Sequence, residues 1–265
     1  MWESGDNMFF VVNKDKLITY IVSIVMVVLL FTFVTSIKSG NEETILTSSS
    51  NSRLLPIYKV KTENKNISLT MNCAWNADDI DKIIEVLDKT EVKITFFVVG
   101  DWVDKYPEAV KKIAEHGHEI GTHSNTHPHV NNLSLEENIS EIKESSEKIE
   151  KITGQKSDLY RAPYGEYNNT VIQSATDSGY FPIQWSLDTL DYTGLTGEEM
   201  WQRLNNKLNN GDIILMHNGT EHTADSLEML INNIKNKGFN IVKVSDLIYK
   251  SNYSIDLNGT QILNE

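Results

Sequence analysis

The sequence predicts an α/β fold with parallel strands, preceded by one N-terminal transmembrane helix. Between residues 66 and 249, short apolar runs alternate with amphipathic segments and give about seven strand–helix units, an alternation that places parallel strands inside and helices outside. Residues 17–37 contain no charged residue, and they are long enough for a helix that crosses a hydrocarbon core of about 30 Å. The strand pattern alone leaves a barrel and an open doubly wound sheet as alternatives.

The regions outside this domain are predicted from charge and composition. Lys14 and Lys16 precede the apolar run and only Lys38 follows it closely, so the positive-inside rule places residues 1–16 in the cytoplasm. The rest of the chain would then lie outside the cell, held by a single-pass anchor in the cell membrane. Residues 38–60 are polar and Ser-rich, which is typical of a flexible tether. Residues 250–265 have no clear period and are predicted to be a flexible tail.

Within the domain, β-branched and apolar runs predict strands, and apolar residues three or four apart predict helices. The best-defined helix begins at a capping box formed by Ser134 and Glu137 and ends at Gly154. The predicted pairs, in order, are ISLTMNC and residues 78–90, KITFFVVG and residues 101–115, HEIGTH and the helix between Ser134 and Gly154, LYRAP and residues 170–178, YFPIQW and residues 198–208, DIILMH and residues 226–237, and NIVKV with the turn SDLIYK.

Composition excludes one class of partner and one means of stabilisation. The net charge of −13 argues against binding to nucleic acid, because phosphate contacts require clustered Lys and Arg. The chain has a single cysteine, Cys73, so an intrachain disulfide cannot form and stability must come from core packing.

The stretch GTHSNTHPH, residues 121–129, holds three of the seven histidines. His123 and His127 follow the strand HEIGT and lie four residues apart. On a helical turn this spacing presents both imidazoles to one side, where they can bind a divalent metal. Two solvated histidines in a polar loop are the alternative.

Other predicted strands also end in polar side chains. The carboxyl ends of parallel strands meet at one edge of a sheet, so these side chains are expected to converge on an active site. They are Asn72 and Cys73, Arg161, Asp188 and Asp191, and His217.

Over residues 66–249 the sequence resembles the polysaccharide deacetylase family of carbohydrate esterases, family 4. Four motifs occur in the family's order: His123, Ser124 and His127 match the histidine motif, and RAPYG, DTLDY and LMH occupy residues 161–165, 188–192 and 215–217. The resemblance implies a distorted (β/α) barrel of about seven parallel strands.

The resemblance also implies a reaction, the removal of N-acetyl groups from cell-wall glycan. The substrate would be the N-acetylglucosamine or N-acetylmuramic acid of peptidoglycan. Likeness to the sporulation and cell-wall deacetylases of the family implies a link to sporulation. A divalent metal, zinc by default and cobalt or another first-row ion as alternatives, would be bound by His123, His127 and Asp79. His217 would protonate the leaving amine. The implied supporting residues are Asp191 beside His217, Arg161 beside the base at position 72, and Tyr164, Gly165 and Trp185 on the substrate.

The first motif departs from the family pattern. It reads TMNCAWNADD, so that Asn72 stands where the family has the aspartate that acts as general base. A carboxamide cannot take a proton from water. Cys73 replaces the second aspartate. The first motif is closer to a subgroup of sporulation and cell-wall deacetylases that keeps an aspartate at the place of Asp79, so the resemblance implies Asp79 as third metal ligand, with Cys73 and Asp78 as alternatives. Helix capping is a further explanation for the aspartates. A catalytically silent glycan-binding protein and an acetylxylan-type esterase therefore remain alternative functions.

Overall fold

The computed structural model describes residues 24–26 and 53–264. The chain divides into two compact units, Met1–Ser52 and Arg53–Glu265. The predicted span at residues 17–37 lies outside the described residues, apart from three helical residues at 24–26. Within the described ranges, no helix has both the length and the apolar character needed to cross a bilayer. The transmembrane anchor therefore stays a prediction.

A parallel sheet forms the centre of the second unit. After a short strand β1 (Lys59–Val60), its strands are β2 (Asn66–Cys73), β3 (Thr95–Val98), β4 (Glu119–Thr122), β5 (Leu159–Tyr160), β6 (Phe181–Pro182), β7 (Leu187–Asp188), β8 (Ile213–His217) and β9 (Asn240–Ile241). Seven of them follow the order β6-β5-β4-β3-β2-β8-β7, and β9 pairs with the start of β2. In the described part of the chain β6 and β7 do not pair with each other, so the barrel is open on one side. The predicted seven-stranded α/β fold is confirmed, as a half-barrel.

Helices flank this sheet: α1 (Ile80–Lys89), α2 (Gly100–Lys105), α3 (Pro107–Glu115), α4 (Leu135–Thr153), α5 (Asn169–Asp177), α6 (Gly197–Asn205), α7 (Thr223–Asn236) and α8 (Val244–Leu247). The predicted capping box of α4 is present, with Ser134 and Glu137 each accepting the other's backbone N–H. The single helix predicted over residues 101–115 is divided in two. Tyr106 leaves the helical conformation and Pro107 begins α3, where its missing N–H costs nothing.

Strand β2 separates the apolar core from the interior of the half-barrel. Leu69, Met71 and Cys73 are fully buried in the core between the sheet and helices that include α1 and α7. Thr70 and Asn72 alternate with them and therefore face the other side of the sheet. This alternation decides which first-motif residues reach the functional site.

A smaller sheet joins the two ends of the described domain. Strand β11 (Thr260–Leu263) pairs in parallel with β1 and in antiparallel with β10 (Tyr253–Ile255). These strands lie within the predicted tether at residues 38–60 and the predicted tail at residues 250–265, so each of these segments contains β-structure that the sequence did not predict. Their pairing links positions about 200 residues apart, and no local sequence period reports such a contact.

Candidate active site

A cavity of about 470 Å³ lies at the carboxyl ends of the central strands. It is lined by Asn72, Ala74, Trp75, His123, His127, Tyr164, Gly165, Trp185, Asp188, Tyr192, Leu215 and His217. Seven of the ten predicted site residues therefore line one cleft. Arg161 and Asp191 are fully buried and contact lining residues, whereas Asp79 is not among the lining residues.

His217, at the end of β8, is held by a buried carboxylate. Its ring Nδ1 lies 2.9 Å from Asp191 Oδ1, and its backbone N–H donates to Asp191 Oδ2 over 2.6 Å. Asp191 also accepts from the hydroxyl of Thr223 and from the N–H of Tyr192. A carboxylate accepts only, so Nδ1 must carry the proton and Nε2 is left free for a ligand. This pair has the arrangement predicted for a proton donor and its supporting aspartate.

Two aromatic rings pack against His217. Trp75 stacks on the imidazole with ring centroids 5.4 Å apart, and Tyr192 meets it edge-on at 5.3 Å. Trp75 and Tyr192 are 50% and 51% exposed, which leaves apolar ring surface in contact with solvent at the mouth of the cleft. Trp75 was not predicted as a site residue. The signal was present, because it follows the polar end of β2 within the first motif.

Asn72, the register partner of His217 on the neighbouring strand β2, occupies the position of the expected base. Its Oδ1 accepts from Arg161 Nη1 over 3.1 Å. The same Nη1 donates to the hydroxyl of Thr70, and Nη2 donates to the backbone carbonyl of Gln184. Arg161 is therefore aimed at the base position, as the family resemblance implies, but all three acceptors are neutral.

The guanidinium of Arg161 is a fully buried charge. Burial lowers its pKa to about 9, a shift that the charge of Asp188 partly opposes, so the group is charged at neutral pH. Its Cζ lies 4.1 Å from the ring centre of Phe97 and 5.6 Å from that of Trp185. Cation–π contacts offset part of the cost of removing the charge from water. Trp185 therefore supports Arg161 as well as lining the cleft.

His123 and His127 are brought together, but on a loop rather than a helical turn. Ser124 and His127 both have left-handed backbones, with φ of 69° and 58°, and the two ring centres lie 5.0 Å apart. His123 Nδ1 lies 2.8 Å from the carbonyl oxygen of Arg161 and must donate to it, so Nε2 has a free lone pair. Burial holds the pKa of His123 well below its usual value and also lowers that of His127. Both imidazoles are therefore neutral and able to bind a metal.

The expected third ligand does not join them. Both carboxylate oxygens of Asp79 accept from the loop after β8, at Asn218 Nδ2 and the N–H of Gly219. Cys73 points into the apolar core, where burial raises its thiol pKa well above the usual value, and Asp78 is exposed. Across the described residues, no group of three His, Cys, Asp or Glu side chains is arranged to hold a metal. Among the described residues, His123 and His127 alone therefore make an incomplete donor set for a protein-bound metal.

Asp188 is a cleft carboxylate that the sequence placed in a motif without giving it a role. It lines the cavity and accepts the N–H of Leu190 over 2.8 Å. Burial raises the pKa of Asp188, and that hydrogen bond and the charge of His217 partly offset the increase.

Gly165, with φ of 67°, lies where a Cβ would approach Trp185 to 2.9 Å. The RAPYG turn therefore needs glycine at this position to pack against the cleft wall.

Comparison with known proteins identifies the family. A sequence profile described as Polysaccharide deacetylase matches residues 59–183. A peptidoglycan-N-acetylglucosamine deacetylase of Bacillus cereus is 30% identical over 192 residues, covering 70% of this chain and 69% of the relative. The chain belongs to the polysaccharide deacetylase family. The Bacillus subtilis protein YlxY is 35% identical over 193 residues, or 73% of this chain, and the match spans 60% of YlxY.

Solved structures of this family include a pseudoenzyme. BA3943 of Bacillus anthracis, described as a CE4 family pseudoenzyme, is similar with a TM-score of 0.70 and 33% identity, covering 72% of this chain and 68% of that chain. A mutant of BA3943, described as having restored enzymatic activity, matches with a TM-score of 0.70 and 33% identity, covering 72% and 70% of the two chains. The family thus contains both deacetylases and a pseudoenzyme with this fold.

Proposed function

We propose that this protein binds N-acetylated cell-wall glycan in its cleft and that hydrolysis of the acetamido group is suppressed at Asn72. The observation that carries the proposal is the hydrogen bond from Arg161 to Asn72 Oδ1. A carboxamide at this position cannot accept a proton from an attacking water. The likeness to peptidoglycan deacetylases supports the glycan class, and the likeness to a family pseudoenzyme supports the suppressed chemistry.

The rim of the cleft supports glycan binding independently of catalysis. Trp75, Tyr164 and Tyr192 are each about half exposed and line the same cavity. Exposed aromatic faces offer apolar contact area at low cost in conformational entropy, and the C–H faces of sugar rings pack on such surfaces. A catalytic cleft that lost its base can therefore still hold its glycan.

The test compares binding with turnover in the same sample. Residues 53–265 contain one described compact unit and serve as the soluble protein. We expect the tryptophan fluorescence to change on addition of N-acetylglucosamine tetramer or solubilised peptidoglycan, while acetate release stays at least about tenfold below that of Asn72→Asp. Binding with full turnover, or no binding to any glycan, would contradict the proposal. Acetylxylan in a parallel assay tests the esterase alternative.

A second candidate is an active deacetylase, favoured by Asp188 and the intact His217–Asp191 pair. Asp188 is a carboxylate in the cleft with a raised pKa, and a raised pKa brings a carboxylate closer to the range suited to a general base. If the wild-type protein releases acetate, Asp188→Asn should abolish that release under this second candidate. An unchanged rate in Asp188→Asn would remove Asp188 as the base.

Membrane attachment is part of the proposal and rests on the sequence. The uncharged run at residues 17–37 would anchor the chain with its N-terminus in the cytoplasm and the glycan-binding unit beside the wall. Protease added to intact protoplasts should then degrade the part of the chain after residue 38. Full protection of that part would contradict the predicted orientation.

A further inference from the structure

We propose that the free amide nitrogen of Asn72 donates a hydrogen bond to the acetamido carbonyl oxygen of an N-acetylated sugar. Position 72, which holds a proton acceptor in the family pattern, would thus hold a hydrogen-bond donor for the ligand in this protein. The inference rests on the proposed glycan binding and specifies which group of the glycan is recognised. Its basis is the hydrogen-bond geometry around Arg161.

Arg161 fixes which end of the Asn72 amide faces the cleft. A guanidinium has five N–H donors and no acceptor, so the atom of Asn72 beside Nη1 must be the oxygen. The amide nitrogen Nδ2 then points away from Arg161. The buried Arg161 is held in turn by Thr70 and the Gln184 carbonyl, so this orientation of the amide does not depend on ligand.

The amide nitrogen is available for a ligand. Within residues 53–264, no side chain or carbonyl accepts a hydrogen bond from Asn72 Nδ2. Asn72 lines the cavity although it is only 5% exposed, so its free donor lies at the cleft floor rather than on the outer surface. Nδ2 is not among the buried unpaired side-chain atoms of the described residues, so water can reach it from the cleft. A ligand that supplies an acceptor takes the place of that water.

The surroundings select a carbonyl acceptor with an apolar neighbour. Asn72 faces His217 across the β2–β8 ladder, and both line the cavity together with the apolar side chains of Ala74 and Leu215. An acetamido group presents a carbonyl oxygen to Nδ2 and a methyl group to that apolar wall. A carboxylate ligand fits less well, because Asp188 already places negative charge in the cleft.

An aspartate at position 72 would reverse this preference. Its oxygens accept only, and one of them would face the carbonyl oxygen of the ligand. A general base at position 72 must accept a proton, whereas a residue that binds the acetamido carbonyl must donate a hydrogen bond. One side chain does not serve both functions. In the absence of a metal, Asn72→Asp should bind the acetamide less tightly than wild type.

The experiment measures affinity by titration calorimetry in the presence of a chelator, using residues 53–265. N-acetylglucosamine tetramer is compared with cellotetraose, which is neutral and lacks the acetamido group. We expect wild type to prefer the N-acetylated tetramer by about tenfold or more, and Asn72→Asp to lose about tenfold in affinity for it while affinity for cellotetraose changes less than about twofold. Asn131→Asp, an exposed substitution of the same kind, is the matched control and should change neither affinity.

Two results would overturn the inference. Equal affinity of wild type for the two tetramers would show that the acetamido group does not contribute to binding. An unchanged preference in Asn72→Asp would show that Asn72 does not bind the acetamido group. In both cases glycan binding itself survives. If wild type binds neither tetramer, the proposed function fails, and that outcome is distinct from the first two.

Discussion

The surroundings of His217 and of Asn72, two neighbouring residues of the cleft, differ in how their charges are balanced. Around His217, the buried Asp191 carboxylate accepts hydrogen bonds from the imidazole, a hydroxyl and two backbone N–H groups. Around Asn72, the buried Arg161 guanidinium donates only to neutral acceptors, and its Nε has no partner among the described residues. The His217–Asp191 pair has its full set of hydrogen bonds, whereas the charge of Arg161 has no carboxylate partner at position 72. One substitution, at position 72, accounts for this difference.

The largest expected effect tests whether the His217 side is functionally complete. In a protein carrying Asn72→Asp, we expect His217→Ala to lower acetate release by about 10²–10⁴-fold, the usual contribution of a general acid. His116→Ala, a histidine at the end of α3 away from the cleft, is the matched control and should leave the rate unchanged. A small effect of His217→Ala would mean that the leaving amine receives its proton elsewhere.

The next prediction concerns metal binding by the imidazole pair. We expect residues 53–265 to bind zinc in equilibrium dialysis. Combining His123→Ala with His127→Ala should lower the zinc affinity by about tenfold or more. Asp79→Asn is the control, because the Asp79 carboxylate is bonded to the loop after β8. A loss of zinc in Asp79→Asn equal to that of the histidine variant would restore Asp79 as the third ligand.

Stability measurements can isolate the unbalanced charge of Arg161. Thr70→Val removes a buried acceptor of Arg161 and a donor to the Ile214 carbonyl. Thr189→Val removes only the equivalent donor to the Leu215 carbonyl and serves as control. We expect Thr70→Val to cost about 1–3 kcal/mol more than Thr189→Val in urea unfolding, because a buried charged donor is left unpaired. The excess should shrink in the Asn72→Asp protein. An equal cost for both variants would show that Thr70 does not support the charge.

The smallest effect is a pH dependence at Asp188. Because the pKa of Asp188 is raised in the folded protein, its contribution to stability is present below the unfolded pKa and is lost as the pH rises through the folded pKa. Asp188→Asn keeps the acceptor for Leu190 and removes the charge. The difference in Tm between the variant and wild type should therefore be more favourable to the variant at about pH 7 than at about pH 4. The same shift at both pH values would contradict the assignment.

For residues at the ends of predicted strands, the sequence was enough to predict that they meet at one edge of the sheet. His217, Asn72 and Arg161 converge because parallel strands bring their carboxyl ends to one edge, and the alternation of strands and helices in the sequence predicts parallel strands. The side chain of Cys73 could also have been placed, since the two-residue period of β2 sends it to the core when Asn72 faces the cleft. Asp79 could not, because the direction of its carboxylate depends on the path of the loop after β2 and on Gly219 from a distant part of the chain.

The central claim is that Asn72 suppresses hydrolysis in a cleft that keeps Arg161 and the His217–Asp191 pair. It is tested most directly by the ratio of acetate release from N-acetylglucosamine tetramer by Asn72→Asp and by wild type, measured side by side with added zinc. The account predicts a ratio of at least about ten, because Arg161 then has a carboxylate to orient. A ratio near one, with both proteins fully active or both inactive, would contradict it.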